Sequence, residues 1–82
     1  MLDETRIDAL HAELERAQKL NVIPYFHIGR VSLHAETYNY VDVYIGIFSK
    51  HLAFENSIKT HIEKKYHDIV RAVSVEIYSH YT

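Results

Sequence analysis

Seven histidines and eleven carboxylates are the side chains of this 82-residue sequence best suited to bind a metal ion. Cysteine is absent, which excludes thiolate ligands and disulfide bonds. Three histidine–carboxylate pairs have spacings that place both side chains on one face of a helix or strand. They are His34 with Glu36, His51 with Glu55, and Glu76 with His80. Each pair supplies only two ligands for zinc or a similar ion, so surface histidines are the simpler interpretation. A further possibility is that histidines near an interface make association depend on pH.

Signatures of catalysis are missing from the sequence. Its two glycines, Gly29 and Gly46, cannot form a glycine-rich phosphate loop, and no nucleophile elbow or HExxH motif is present. We therefore predict a protein that is not an enzyme and has no cofactor. The net charge of -2 disfavours nucleic acid as a partner. No apolar run approaches the ~18 residues of a membrane span, and the lack of cysteine suits a reducing compartment, so a cytoplasmic location is expected.

Hydrophobic periodicity predicts the element order α-β-β-α-β in a single domain, residues 1–82. The predicted elements are a helix over 3–20, a strand over 22–36, a turn over 35–39, a strand over 40–48, a helix over 51–68 and a strand over 71–78. Asp3 and Ser49 are the expected helix N-caps, and Asn21 with Pro24 should end the first helix. In the first strand Phe26 and Ile28 share one face, whereas Val31 and Leu33 have the opposite parity. The alternation changes phase at Gly29, which predicts a β-bulge or bend there.

The second and third strands each have one purely aliphatic face. Its residues are Val41, Val43, Ile45, Ile47, Val73, Val75 and Ile77. Both helices carry one apolar stripe, which predicts an α+β two-layer sandwich, a ferredoxin-like variant with two helices on one face of a three-stranded sheet. The stripe of the first helix consists of Ile7, Leu10, Leu14, Ala17 and Leu20, and that of the second consists of Phe54, Ile58, Ile62, Tyr66 and Ile69. A right-handed crossover makes the third strand parallel to the second, while the strand order stays open.

Aromatic side chains concentrate on the sheet face that the helices should leave uncovered. The predicted partner-binding residues are Tyr38, Tyr40, Tyr44, Phe48 and Tyr78. Because monomers rarely expose a large apolar patch, this face predicts a homodimer or binding to another protein. The alternative is that tyrosine simply favours strands and that its hydroxyl makes an open face tolerable.

Short segments resemble the cytoplasmic, metallochaperone-like domain of cation diffusion facilitator transporters. They are His27-Ile28-Gly29-Arg30, Val41-Asp42-Val43-Tyr44, Leu52-Ala53-Phe54 and Val73-Ser74-Val75-Glu76. The resemblance implies this fold, a homodimer and, in many members, bound zinc. Only His27 matches the family's histidines, because Tyr44, Ile58 and Glu76 stand where histidine is common. The resemblance therefore favours the fold and the dimer over metal binding.

The sequence predicts a non-enzymatic, homodimeric interaction domain that acts as a small adaptor or inhibitor through its aromatic sheet face. The alternative is a metal-responsive regulatory domain with zinc at His27, Glu76 and His80. The third possibility is an RNA-binding module, in which bases would stack on the aromatic face.

Overall fold

The computed structural model describes residues 3–32 and 40–78, which form two helices and a three-stranded sheet. The elements are α1 (Glu4–Lys19), β1 (Tyr25–Val31), β2 (Tyr40–Phe48), a 3₁₀ helix (Ser49–Phe54), α2 (Glu55–Lys65) and β3 (Val70–Tyr78). The predicted α+β class and element order are confirmed. No helix in these residues is long and apolar enough to cross a membrane.

The first helix begins and ends at residues that the sequence marks for those roles. The Asp3 carboxylate accepts hydrogen bonds from the backbone N–H groups of Thr5 and Arg6, as an N-cap should. At the other end Asn21 has a left-handed φ of 60°, and the N–H of Val22 donates to the carbonyl of Ala17 at 2.9 Å, a Schellman-type ending. Leu20, predicted to lie on the apolar stripe, is 66% exposed because it follows the last turn of the helix.

The sheet has the order β1-β2-β3, with β1 antiparallel and β3 parallel to the central β2. The predicted parallel crossover is confirmed, but the predicted bulge at Gly29 is wrong. Pairing of β1 with β2 runs unbroken from Tyr25–Gly46 to Val31–Tyr40. The phase change arises because Arg30 lies on the helix side, where its guanidinium binds Glu4 at 2.7 and 2.8 Å. The register instead shifts between β2 and β3, where Arg71 is the extra residue.

The core lies between the two helices and one face of the sheet. The β2 side chains directed toward the helices, Val41, Val43, Ile45 and Ile47, are completely buried. Leu10 and Leu14 of α1, Ile62 of α2, and Tyr66 just after it close this layer from above. Both helices therefore cover the aliphatic face except at the end of β3, where Ile77 is 47% exposed.

The second helical region differs from the prediction at its start. Residues 49–54 form a 3₁₀ helix and α2 begins at Glu55, without a side-chain N-cap, so Ser49 does not cap it. Phe54, predicted to face inward, is 56% exposed because it belongs to the 3₁₀ segment. The later positions of the predicted stripe do face the core: Ile58 is half-buried and Ile62, Tyr66 and Ile69 are buried.

Candidate functional site

The outer face, by which we mean the side of the sheet opposite the two helices, is formed by alternate residues of all three strands. Its members are Tyr25, His27, Gly29 and Val31 of β1; Tyr40, Asp42, Tyr44, Gly46 and Phe48 of β2; and Ala72, Ser74, Glu76 and Tyr78 of β3. Neither α1 nor α2 packs on this side, and the 3₁₀ helix contacts it only at one end, where His51 packs against Phe48. Apart from that end, the outer face is open among residues 3–32 and 40–78.

The aromatic residues predicted to bind a partner lie on the outer face wherever the structure describes them. Tyr40, Tyr44, Phe48 and Tyr78 all have outer positions, whereas Tyr38 lies outside the described residues. Tyr44 is 38% exposed and Tyr78 is 40% exposed. The three β2 aromatics are four residues apart, about 13 Å along a strand, so they do not touch one another.

Side chains from the neighbouring strands fill the gaps between these aromatics. The Tyr25 ring lies over Gly46, where a Cβ atom would come within 2.6 Å of it. From there Tyr25 reaches Tyr78 across the central strand, with 6.2 Å between ring centroids. The His27 ring packs beside Tyr44 at 5.9 Å. The result is two aromatic pairs on the outer face, one of which reaches from β1 across β2 to β3.

Tyr25 and His27 are the outer-face residues that the sequence reasoning missed. The predicted strand has Phe26 and Ile28 on one face, and strand alternation therefore places Tyr25 and His27 on the other. A second signal was Gly46, which leaves the middle of β2 without a side chain and lets an aromatic ring from the adjacent strand cover it.

A bidentate ion pair lies among the tyrosines. The Arg71 guanidinium donates to both Asp42 oxygens, at 3.0 Å from Nε and 2.7 Å from Nη2. The hydrogen bonds with Asp42 raise the pKa of Arg71 further above its usual range. Arg71 covers Asp42, which is only 8% exposed. The pair is thus neutral overall, and the surrounding surface is aromatic rather than basic.

The alternative metal site is not assembled by the described residues. His27 and Glu76 share the outer face, but β2 lies between them and their positions are offset by two residues, which puts their Cα atoms about 12 Å apart. His80, His34 and Glu36 lie outside the described residues. No group of three or more histidines and carboxylates suited to a metal occurs in residues 3–32 and 40–78. His51, near Glu55 in sequence, instead packs edge-on against Phe48 and Phe54.

The opposite side of the molecule carries a groove between α1 and α2 with a cavity volume of about 450 Å³. Its floor is apolar and includes Leu14, Ile23 and Ile58. Glu13 lies at its rim and accepts hydrogen bonds from His61, from Lys65 at 2.9 Å and from the Tyr66 hydroxyl at 2.8 Å. These contacts join α1 to α2 and its end. We therefore assign Glu13 and its three hydrogen-bond donors a structural role.

Comparison with known proteins identifies no relative of this chain. No protein-family model, no curated protein and no solved structure matches the chain. Nothing in these comparisons links it to the cation diffusion facilitator domains. The class that the fold and the site define is a small two-layer α+β domain with an open aromatic sheet face.

Proposed function

We propose that this chain is a non-enzymatic protein–protein interaction domain that forms a homodimer through its outer face, acting as a small adaptor or inhibitor. The observation that carries the proposal is the aromatic surface of Tyr25, Tyr44 and Tyr78, which no described helix covers. Tyrosine suits a protein interface because it combines apolar area with a polar tip. The cysteine-free composition agrees with a cytoplasmic location, which is part of the proposal.

The charges of the outer face favour a protein over RNA. Arg71 is the cation nearest the centre of this face, and both of its hydrogen bonds go to Asp42. Glu76 adds a carboxylate on β3, and Lys50 lies beside Phe48 at one end. Single-stranded RNA would require a groove of available cations along its phosphates. A second protein surface requires only that the neutral Asp42–Arg71 pair keep its hydrogen bonds.

The size of the outer face sets the expected strength of the dimer. Three strands about 4.8 Å apart and up to nine residues long cover roughly 14 by 30 Å, or about 400 Å² in projection. Two such faces bury close to 800–1,000 Å², near the lower limit for a specific interface. We therefore expect face-to-face association to be weak, with dissociation in the micromolar range or above.

The test is the substitution Tyr44→Asp, measured by size exclusion coupled to light scattering. It places a carboxylate at the centre of the outer face near Asp42, and we expect it to abolish face-to-face association through desolvation and charge repulsion. Tyr44→Phe keeps the ring and should preserve association. Thr60→Asp adds the same charge to an exposed position on α2 and should also preserve it.

The outcome that contradicts the proposal is a wild-type chain that stays at 9.7 kDa at high micromolar concentration. A wild-type oligomer whose mass Tyr44→Asp leaves unchanged would equally overturn the assignment to the outer face. The first result would remove the homodimer, and the second would remove only its assignment to the outer face; both would leave the outer face as a surface for a different protein.

A further inference from the structure

The third strand lies at the edge of the sheet, with β2 on one side and no described strand on the other. The strand order β1-β2-β3 leaves the far side of β3 without a partner among residues 3–32 and 40–78. At nine residues, Val70–Tyr78 is as long as the central strand. Its open edge is therefore long enough to accept another strand.

One hydrogen bond fixes which backbone groups of β3 point outward. The N–H of Val41 donates to the carbonyl of Ile69 at 2.8 Å, so the odd-numbered residues of β2 bond to β3. In a parallel pair with this register, Ser74 and Glu76 bond back to β2. The N–H and C=O groups of Val73, Val75 and Ile77 then project away from the sheet.

Beyond the bulge at Arg71, the edge of β3 carries one feature that discourages strand pairing, the charged Glu76, whose own backbone groups point to β2. All three residues with outward backbone groups are aliphatic, and no proline, glycine or lysine interrupts Val70–Tyr78. The other edge is better protected: β1 has seven residues, follows Pro24, contains Gly29 and carries the charged Arg30. The bulge at Arg71 affects only the start of β3.

We propose that β3 pairs, antiparallel, with β3 of a second copy of this chain to form a continuous six-stranded sheet. This proposal rests on the proposed self-association through the outer face. That face alone buries an area near the minimum for a stable complex, so a second contact at the edge of β3 would strengthen the assembly. A second copy is the favoured occupant because a two-fold axis normal to the sheet makes the edge complementary to itself in the antiparallel direction.

Charge disfavours one register of this pairing. A two-fold centre at Ser74, Val75 or Glu76 places at least two of the outward-pointing residues Val73, Val75 and Ile77 opposite each other. A centre at Glu76 would put the Glu76 carboxylates of the two copies directly opposite each other, which is destabilising. The centres at Ser74 and Val75 avoid this contact, because they place Glu76 opposite Ala72 and Ser74 of the second copy, respectively.

The edge contact is compatible with the face contact because their two-fold axes differ in direction. The edge axis is normal to the sheet, whereas the face axis lies in the plane between two stacked sheets. Where the axes intersect, four copies close into two six-stranded sheets packed by their outer faces. The expected mass is that of four 9.7 kDa chains, about 39 kDa.

Amide hydrogen exchange followed by NMR tests the edge contact directly. The amides of Ser74 and Glu76 bond to β2 and should be protected at every concentration. Those of Val73 and Val75 should exchange freely in the monomer and become at least tenfold slower in the associated protein. If they exchange equally fast in both, the edge pairing is refuted, whatever the outer face does.

A synthetic chain with Val75→N-methylvaline provides the second test, because it blocks the edge and keeps the side chain. The matched control is Phe26→N-methylphenylalanine, whose amide points to the opposite edge of the sheet. We expect the mass to fall from about 39 to about 19 kDa for the Val75 chain only. Tyr44→Asp should also give about 19 kDa, but with Val73 and Val75 still protected. A Val75 chain that retains the wild-type mass would overturn the edge contact alone.

Discussion

Glu13→Gln tests how much the link between the two helices stabilises the fold. Burial raises the pKa of Glu13, but hydrogen bonds from Lys65, Tyr66 and His61 outweigh this effect and lower the pKa to about 2. Converting the whole difference from the usual 4.5 gives roughly 3 kcal/mol. Because 30% of the Glu13 side chain and half of that of Lys65 are exposed, solvent screening reduces this figure. We expect the variant to lose about 1–2 kcal/mol at pH 7.

The pH dependence gives this prediction its sign. The pKa of Glu13 is lower in the folded chain than in the unfolded chain, so its contribution is complete above about pH 4.5 and disappears as the pH falls toward 2. The free-energy difference between wild type and Glu13→Gln should therefore be largest near neutral pH. Urea denaturation followed by circular dichroism from pH 2 to 7, at low micromolar protein concentration, measures it.

A matched control separates the link from a general change in charge. Glu63 is exposed on α2, so Glu63→Gln removes the same charge away from the contact with α1 and should change stability by less than about 0.5 kcal/mol. The reasoning fails if Glu13→Gln and wild type are equally stable at pH 6. It also fails if their difference is as large at pH 2.5 as at pH 6.

Two further predictions concern the two faces of the sheet. Ile45→Ala should lower the free energy of unfolding by about 2–4 kcal/mol in equilibrium denaturation, because Ile45 is completely buried. Tyr40→Ala, on the outer face, should lower it much less. The reverse ranking would mean that the faces are wrongly assigned. Stoichiometric zinc, nickel or cobalt should leave the melting temperature unchanged, since His27 and Glu76 are about 12 Å apart. A rise in melting temperature with zinc that His27→Ala abolishes would instead support the metal-binding alternative.

Segments with one strong hydrophobic period were predicted correctly from the sequence. β2 alternates aliphatic and aromatic residues without interruption, and α1 repeats apolar residues at spacings of three and four between a good N-cap and Asn21. The prediction for the second helical region failed at its start, because Phe54 lies four residues before Ile58 and so fits the helical stripe, although it belongs to the exposed 3₁₀ helix. Periodicity reports which residues are apolar, but it does not distinguish a 3₁₀ turn from the first turn of an α-helix.

The bulge was assigned to the wrong strand for a specific reason. The phase of β1 seemed broken only because Arg30 occupies an inner position, where an ion pair with Glu4 on α1 makes a charged residue acceptable. The break in β3 was missed because the predicted strand began at Arg71, whereas the observed strand includes Val70, which is buried and lies three residues before the buried Val73. An odd spacing between two inward residues requires an extra residue in the strand, and Arg71 is that residue.

The aromatic surface depends on strand order, which local patterns do not determine. Tyr25 and Tyr78 lie on strands that do not pair with each other, and they meet only because β2 separates them and has no side chain at Gly46. A sheet with β1 at the other side of β3 would have the same alternation along each strand, yet it would leave Gly46 without the Tyr25 ring above it. The residues of the outer face can thus be predicted strand by strand, whereas the contact between Tyr25 and Tyr78 follows from the position of β2 at the centre.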